Sequence, residues 1–269
     1  MTINDVASSD AQLAISAARS GADVVREMYG ASLDRVDKGG GDFATAADLA
    51  AEEAILAVLR RARPGDAVVG EESGASGEGA AARRWFVDPL CGTLNYAVQN
   101  MLVGVNVALR VGGETVAAAT ADPFSGEVFW TDGTSTAVRR GDSHGDAALV
   151  PSPGSRLVDV NLDPPFLSPS FRGTHLLADP LFAAHFRPRV VSTTLAVAWV
   201  AAGRRAAYVT DGDLRDSVHF TAGIALCRAA GCVLSGIDGE PVLSGANGLV
   251  AAADAETHAL LLKIIRKQG

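Results

Sequence analysis

One segment constrains this chain more than any other: an apolar run that stops at an acid, a proline and a glycine. It reads Trp85-Phe-Val-Asp-Pro-Leu-Cys-Gly-Thr93. The run begins like a strand, Pro89 interrupts strand hydrogen bonding, and Gly92-Thr93 opens a helix. This order places the Asp88 carboxylate beside backbone N–H groups that can receive an oxyanion.

A second strand-like segment also ends in acids, Val68-Val-Gly-Glu-Glu72. Two strand ends that carry carboxylates near a helix N-terminus predict divalent cations that hold a phosphate. Glu71 and Asp88 are the candidate ligands. Cys91 departs from this chemistry, because a thiol stands where a site for a hard cation would use an oxygen ligand.

Composition excludes several classes of function. With 269 residues, 48% of them hydrophobic, the chain can bury a large core. Its net charge of -8 disfavours a nucleic-acid partner, which normally needs a basic face. No apolar run approaches the ~18–20 residues of a membrane span. The N-terminus does not resemble a signal peptide, and three cysteines fit a reducing compartment, so we expect a cytoplasmic protein without a membrane partner.

The order of predicted elements indicates an α/β fold with an α+β N-terminal half. Helical periodicity covers residues 11–29 and 44–63, and strands separated by turns fill 102–140. Glycine and proline then mark a joint near 145–155, beyond which strands and helices alternate. We therefore predict an N-terminal domain over residues 1–145, carrying most of the metal and phosphate residues. A C-terminal α/β domain over 146–269 would close the site.

At these motifs the chain resembles the inositol monophosphatase superfamily of Mg²⁺-dependent, often lithium-sensitive phosphatases. The family pattern has Gly-Glu-Glu, then Asp-Pro-(Ile/Leu)-Asp-Gly-Thr. Gly70–Glu72 matches the first block, and Asp88–Thr93 matches the second except at Cys91. Lys38 and the segment Asp42–Asp48 resemble a further family block. The resemblance implies a layered α-β-α-β-α sandwich and a divergent member with altered metal ligands.

The family's late block, Trp-Asp-x-Ala-Ala-Gly, is altered too. Ala222-Gly223 and the later Ala230-Gly231 set a register that puts His219 where the family has a metal-binding aspartate. An alternative register with a three-residue gap would use Asp216 instead. The two residues lie one helical turn apart, so both would face the site if the helix begins early. We favour His219.

The resemblance implies a first metal site, for Mg²⁺, with only oxygen ligands. Its ligands would be Glu71, Asp88, the Leu90 carbonyl and Thr93, all of which are present. Asp48, together with Thr93, would lie near the attacking water. These residues are therefore our candidates for the hydrolytic chemistry.

The same resemblance suggests residues that hold the substrate. The amides of Gly92 and Thr93 would bind the phosphate, and Asp211 would hydrogen-bond a substrate hydroxyl. Asp211 is equally well explained as a turn residue before Gly212. The segment Ser192–Leu195 lies where the family sets its substrate specificity.

The second metal site would consist of Asp88, Cys91 and His219, and three interpretations stay open. The site has decayed; or it has been rebuilt for Zn²⁺ or another transition ion; or the chain is metal-free there, with Cys91 as nucleophile and His219 as base. On sequence alone decay ranks first and covalent chemistry last. A position at a helix N-terminus would lower the pKa of Cys91 and favour its thiolate.

We therefore predict a small-molecule enzyme of the phosphoric monoester hydrolase type. Its substrate would be a phosphorylated polyol, a sugar phosphate or a similar metabolite, and its second metal site would be impaired or rebuilt. Two alternatives belong to other classes: a non-hydrolytic biosynthetic enzyme that uses Cys91 and His219, and a catalytically silent binding protein. Family members often dimerise, so we expect a homodimer.

Overall fold

The computed structural model describes residues 9–31, 35–39, 42–77, 82–141, 145–163, 173–243 and 247–267. The side chains of Lys38 and Asp42, which the sequence places in a family block, lie outside the described ones. Among the described helices none is long and apolar enough to cross a membrane.

Local signals in the sequence define the helices. Ser9 caps the first helix by accepting a hydrogen bond from the Gln12 amide, and Thr45 and Asp48 form a reciprocal capping box at the second. Asp254 caps the last described helix. The helices in the described ranges are α1 (Asp10–Glu27), α2 (Ala46–Ala62), α3 (Thr93–Ala97), α4 (Gly173–Ala178), α5 (Pro180–His185), α6 (Leu195–Ala201), α7 (Thr221–Ala230) and α8 (Ala255–Arg266).

The strands fall into a small hairpin and two larger sheets. The hairpin is β1 (Arg35–Gly39) and β2 (Asp42–Thr45). The first large sheet contains β3 (Ala67–Gly70), β4 (Gly74–Ser76), β5 (Arg83–Cys91), β6 (Gly104–Val111), β7 (Glu114–Ala121), β8 (Glu127–Thr131), β9 (Thr136–Arg140) and β10 (Ala147–Ala148). The second contains β11 (Leu157–Val160), β12 (Arg187–Val190), β13 (Ala207–Thr210), β14 (Val233–Ser235) and β15 (Leu249–Ala252).

The first sheet is an antiparallel meander with one parallel pair. Its order is β10-β9-β8-β7-β6-β5-β3-β4, and β3 and β5 run parallel. The second sheet has the order β12-β11-β13-β15-β14, with β11 parallel to both β12 and β13. The parallel pair in the first sheet matters for function, because it brings two carboxyl ends to the same edge.

Apolar faces stack these elements into five layers. Helices α1 and α2 pack on one face of the first sheet, and α6 and α7 lie between the two sheets. Helices α4, α5 and α8 cover the far face of the second sheet. The predicted α-β-α-β-α sandwich is therefore confirmed. Strand β10 extends the first sheet to Ala148, and the division into domains near residue 145 stays a prediction.

Candidate functional site

Two carboxylates meet where β3 ends beside β5. These strands run parallel, with Gly70 opposite Val87, so the residue after each position lies at the same edge. The Glu71 amide donates to the Val87 carbonyl at 3.0 Å and continues the pairing. Glu71 and Asp88 therefore stand side by side, as the sequence predicts.

Asp88 is completely buried and is the centre of the site. Its Oδ2 accepts a hydrogen bond from Asn106 Nδ2 at 3.2 Å and lies 2.9 Å from His219 Nδ1. Its Oδ1 is buried and has no hydrogen-bond partner among the described residues. Burial opposes ionisation, but the charge of His219 and the hydrogen bonds prevail and lower the pKa of Asp88. A buried carboxylate with one unsatisfied oxygen is suited to a cation.

His219, not Asp216, is the late residue that contacts Asp88. It lies just before the first residues of α7, and its Nδ1 is also 3.8 Å from Glu71 Oε2. Burial disfavours its charged form, yet the neighbouring Asp88 carboxylate raises the pKa of His219 well above its ordinary value. The side chain is 41% exposed, so solvent screens part of this interaction.

Asp216 points elsewhere. Its side chain is 75% exposed and forms an ion pair with Arg110. Its φ of 54° breaks helical geometry, and α7 begins only at Thr221. The helix does not begin early enough to bring Asp216 and His219 to one face, and the alternative register through Asp216 does not place that residue at the site.

Cys91 is buried and held by a threonine. Its Sγ accepts hydrogen bonds from Thr194 N at 3.2 Å and from Thr194 Oγ1 at 2.9 Å. Cys91 is the last residue of β5 and does not belong to helix α3. Burial raises the pKa of its thiol, and the charge of Asp88 adds to this effect. The prediction that a helix N-terminus favours the thiolate is wrong for the metal-free protein.

Asp88, Cys91 and His219 form a compact group of possible ligands. One ligand atom from each lies within 4.8 Å of the others. The set offers an oxygen, a sulfur and a nitrogen, which suits Zn²⁺ and related ions and does not suit Mg²⁺. Glu71, Asp88, the Leu90 carbonyl and Thr93 offer only oxygens, so the chemistry of that set fits Mg²⁺.

Thr93 and Asp48 form the predicted pair beside these ligands. Thr93 Oγ1 lies 2.9 Å from Asp48 Oδ1 and 3.2 Å from the Leu90 carbonyl oxygen. The other carboxylate oxygen of Asp48 accepts from Thr45 N at 2.7 Å and Thr45 Oγ1 at 2.6 Å. Burial raises the pKa of Asp48, although hydrogen bonds from Thr45 and Thr93 oppose the shift.

Gly92 is required by the close approach of three chain segments. Its φ is 105°, and a Cβ there would lie 3.0 Å from the Leu102 carbonyl oxygen and 3.1 Å from that of Ser192. Asn95 Nδ2 donates to both of these carbonyls. Side chain and backbone thus fix the loop that leads from β5 into α3.

Asp211 makes a local hydrogen bond. Its Oδ1 accepts from the Gly212 amide at 2.7 Å, the arrangement of a turn residue. Asp211 has further interactions. Its role toward a substrate stays a prediction.

Sequence reasoning missed the residues that hold the ligands in place. Asn106 interrupts an apolar strand and is completely buried, a signal that was visible in the sequence. Thr194 directly precedes α6, and its hydroxyl donates to Cys91 Sγ, a contact that no local pattern indicates. Glu52 accepts hydrogen bonds from the amides of Glu72 and Ser73, at 2.9 and 2.8 Å, and thereby orders the turn that carries Glu71.

The chain is similar to known proteins over most of its length. A sequence model of the Inositol monophosphatase family matches residues 7–269. An inositol-1-monophosphatase of Mesorhizobium japonicum is 32% identical over 234 residues, covering 86% of this chain and 85% of its own. The Nus factor SuhB of Salmonella typhimurium is 30% identical over 260 residues and 93% of both chains.

Solved structures share the fold. The extragenic suppressor protein suhB from Bartonella henselae matches with a TM-score of 0.82 at 25% identity, over 95% of this chain and 98% of that one. An inositol monophosphatase from Anabaena (Nostoc) matches with a TM-score of 0.78 at 22% identity, over 96% of both chains. With the family model matching nearly the whole sequence, the chain belongs to the inositol monophosphatase family, whose members are phosphatase-like hydrolases.

Proposed function

We propose that this protein hydrolyses small phosphomonoesters, with Mg²⁺ held by Glu71, Asp88, the Leu90 carbonyl and Thr93. The hydrogen bond between Thr93 Oγ1 and Asp48 Oδ1, 2.9 Å long, carries this proposal. It places the buried Asp48 carboxylate against the Thr93 hydroxyl, in the segment that also carries Asp88 and Leu90.

Asp48 and Thr93 would activate the attacking water. The Thr93 hydroxyl donates to Asp48, so its lone pairs face away and can accept a proton shared with water. As the water attacks phosphorus, its proton passes to Thr93 while the proton of Thr93 passes to Asp48. The raised pKa of Asp48 brings this base closer to neutral pH, where general base catalysis contributes about 10²–10⁴ in rate.

The remaining parts of the site would bind the phosphate. When bound, Mg²⁺ would supply Lewis-acid polarisation of the phosphoryl oxygens. The backbone amides of Gly92 and Thr93 lie on the loop fixed by Asn95 and would receive the phosphate oxygens. Glu52 accepts hydrogen bonds from two amides in the turn that carries Glu71, and this turn would position the Glu71 carboxylate for the ion.

The substrate would be a phosphorylated polyol or sugar. Two relatives support this class, since proteins of Mesorhizobium japonicum and Mycolicibacterium smegmatis are named inositol-1-monophosphatases. Asp211 would accept a hydrogen bond from a substrate hydroxyl. The net charge of -8 disfavours a nucleic-acid partner, although a relative is named a Nus factor.

The proposal includes a cytoplasmic location and a dimeric state. The described cysteines are all free, as a reducing cytoplasm requires. We further propose a homodimer, because family members often dimerise. Sedimentation of the purified protein measures this directly, and a monomer at micromolar concentration would contradict it.

Two other functions compete with hydrolysis. A non-hydrolytic enzyme would use Cys91 as nucleophile and His219 as base. Burial of the Cys91 sulfur and its raised pKa weigh against a nucleophilic thiolate in the metal-free protein. A silent binding protein would keep the fold without the proton-transfer pair, whereas Asp48 and Thr93 are in contact here.

A panel assay tests the proposal. Protein with Mg²⁺ is incubated with inositol, sugar and nucleotide monophosphates, and released phosphate is measured with and without chelator. We expect release from polyol or sugar phosphates that chelator abolishes. A metal-replete sample that cleaves and binds no phosphomonoester would overturn the proposal.

A further inference from the structure

We propose that Asp88, Cys91 and His219 bind a transition-metal ion, Zn²⁺ by preference, in place of a second Mg²⁺. Binding at this position goes beyond the hydrolysis proposed above and does not need it to be correct. The family resemblance implies a second Mg²⁺ here, and the residues present do not fit that ion. Sulfur and imidazole nitrogen are poor partners for Mg²⁺, which prefers octahedral oxygen ligands.

The three ligand atoms are close enough for one ion. They lie within 4.8 Å of one another, and a tetrahedral zinc site places such atoms about 3.3–3.6 Å apart. A closure of about 1 Å would therefore complete the set. His219 Nδ1 already lies 2.9 Å from Asp88 Oδ2. Three protein ligands with an open fourth position are typical of catalytic zinc.

A network of outer hydrogen bonds holds two of the ligands in place. Asn106 Nδ2 donates both to Asp88 Oδ2 at 3.2 Å and to Thr194 Oγ1 at 2.8 Å. Thr194 in turn donates to Cys91 Sγ. One buried amide therefore positions a ligand oxygen and, through a threonine, a ligand sulfur. Partners of this kind orient metal ligands and tune their basicity.

Further details of the network indicate a built site. Thr120 Oγ1 donates to Asn106 Oδ1 at 2.8 Å, which fixes the amide so that its NH₂ faces the ligands. Cys91 Sγ receives hydrogen bonds from two donors, N and Oγ1 of Thr194, and so is held in place as an acceptor. Asp88 Oδ1 is buried and lacks a hydrogen bond from the described residues, leaving an oxygen for the ion.

These contacts reverse the order in which the sequence ranked the interpretations. A decayed site has no reason to direct two donors to a cysteine sulfur and to fix the neighbouring carboxylate through the same asparagine. A site rebuilt for a transition ion explains both the departures from the family pattern and the hydrogen-bonding side chains around them. Cys91 and His219 then act together as ligands with Asp88.

Metal content and spectroscopy test the proposal without any activity assay. The full chain is purified without chelator, supplied with Zn²⁺, desalted, and analysed by mass spectrometry of its metals. A parallel sample is loaded with Co²⁺, whose absorption reveals a sulfur ligand through charge-transfer bands. We expect near-stoichiometric zinc and a sulfur-to-cobalt band in the wild type.

Variants assign the site to its residues. Cys91→Ser and His219→Asn should lose at least about tenfold in zinc affinity, since each removes a ligand. Cys91→Ser should also lose the charge-transfer band. Cys232→Ser is the matched control, because Cys232 is free, half-buried and located in another part of the fold. It should keep both the zinc and the band. Circular dichroism verifies that each variant is folded.

The outcomes separate this inference from the proposed function. Folded wild type that binds no zinc, or Cys91→Ser that keeps both zinc and the band, would overturn the metal site. The double variant Cys91→Asp/His219→Asp leaves only oxygen ligands, so it should lower the ratio of Zn²⁺ to Mg²⁺ affinity by at least about tenfold, as measured by competition, and an unchanged ratio would also contradict the proposal. Zinc binding without phosphomonoester hydrolysis would overturn only the proposed function.

Discussion

His219 Nδ1 lies 2.9 Å from Asp88 Oδ2, and this contact joins the end of β5 to the segment that leads into α7. The candidate site is thus assembled from the first sheet and the central helical layer. Asn106 and Thr194 make a second connection between the same parts, at 2.8 Å. Ligands bound at Asp88 would therefore stabilise the packing of α6 and α7 on the sheet.

Replacing Thr194 with valine tests the network around Cys91. The variant removes the hydroxyl that donates to Cys91 Sγ and accepts from Asn106, so a buried amide loses a partner. We expect a loss of about 1–3 kcal/mol in the free energy of unfolding, measured in urea. Zinc affinity should fall about 10–100-fold, because an outer partner of a ligand is lost.

Thr174→Val is the control for that substitution. Thr174 is exposed on α4, and the same change of side chain there should leave stability and zinc affinity unaltered. Equal behaviour of the two variants would show that the Thr194 hydroxyl has no special part in the site.

Gly92→Ala tests the close approach at the phosphate loop. The variant incurs the cost of a positive φ, about 1–2 kcal/mol, and in addition brings a methyl group within 3.0–3.1 Å of two carbonyl oxygens. Gly113→Ala is the matched control, since Gly113 has a φ of 93° and nothing within 4 Å of an added Cβ.

We expect Gly92→Ala to unfold at lower urea concentration than Gly113→Ala and to lose phosphatase activity. Activity of Gly113→Ala should equal that of the wild type. If the two variants were equally stable and equally active, the loop would tolerate a side chain and our account of Gly92 would be wrong.

Much of the fold could be predicted because its signals are local. The strands predicted over 102–140 agree with β6 to β9, and the helical periodicity over 11–29 and 44–63 agrees with α1 and α2. The segment containing α4, α5 and β12 was not predicted, because short helices and an exposed edge strand carry weak patterns.

The candidate site was predictable where residues stand in a motif. Glu71 follows β3, Asp88 lies within β5, and Thr93 begins α3, so their positions depend on local structure. Thr194 was missed because it meets Cys91 from a position 103 residues away along the chain. The predicted lowering of the Cys91 pKa is wrong for a related reason. Burial, which the sequence does not display, raises this pKa despite the nearby helix.

Glu127→Gln tests an ion pair that connects the first sheet to the loop after α6. Glu127 accepts from Arg204 at 2.6 Å through both oxygens and from Arg140 at 2.7 Å. Burial opposes ionisation of Glu127, but these hydrogen bonds lower its pKa below the ordinary value of 4.5. We expect the variant to lose about 1–3 kcal/mol of stability at pH 7.

The pH dependence of that loss follows from the sign of the shift. A depressed pKa stabilises the fold above the ordinary pKa, and this stability disappears as the pH falls through the folded-state value. The difference between wild type and Glu127→Gln should therefore be constant above about pH 5 and shrink below about pH 4. Glu114→Gln, exposed at a hairpin, should show no such difference. A stability difference between wild type and Glu127→Gln that grows as the pH falls would contradict the lowered pKa of Glu127.

The measurement that tests the central claim most directly is the kcat of Asp48→Asn for Mg²⁺-dependent phosphate release. Glu53→Gln, an exposed position on the same helix, is the control. We predict that Asp48→Asn loses about 10²–10⁴ in kcat while remaining folded, and that Glu53→Gln keeps the wild-type rate. A folded Asp48→Asn protein with wild-type kcat would contradict the account.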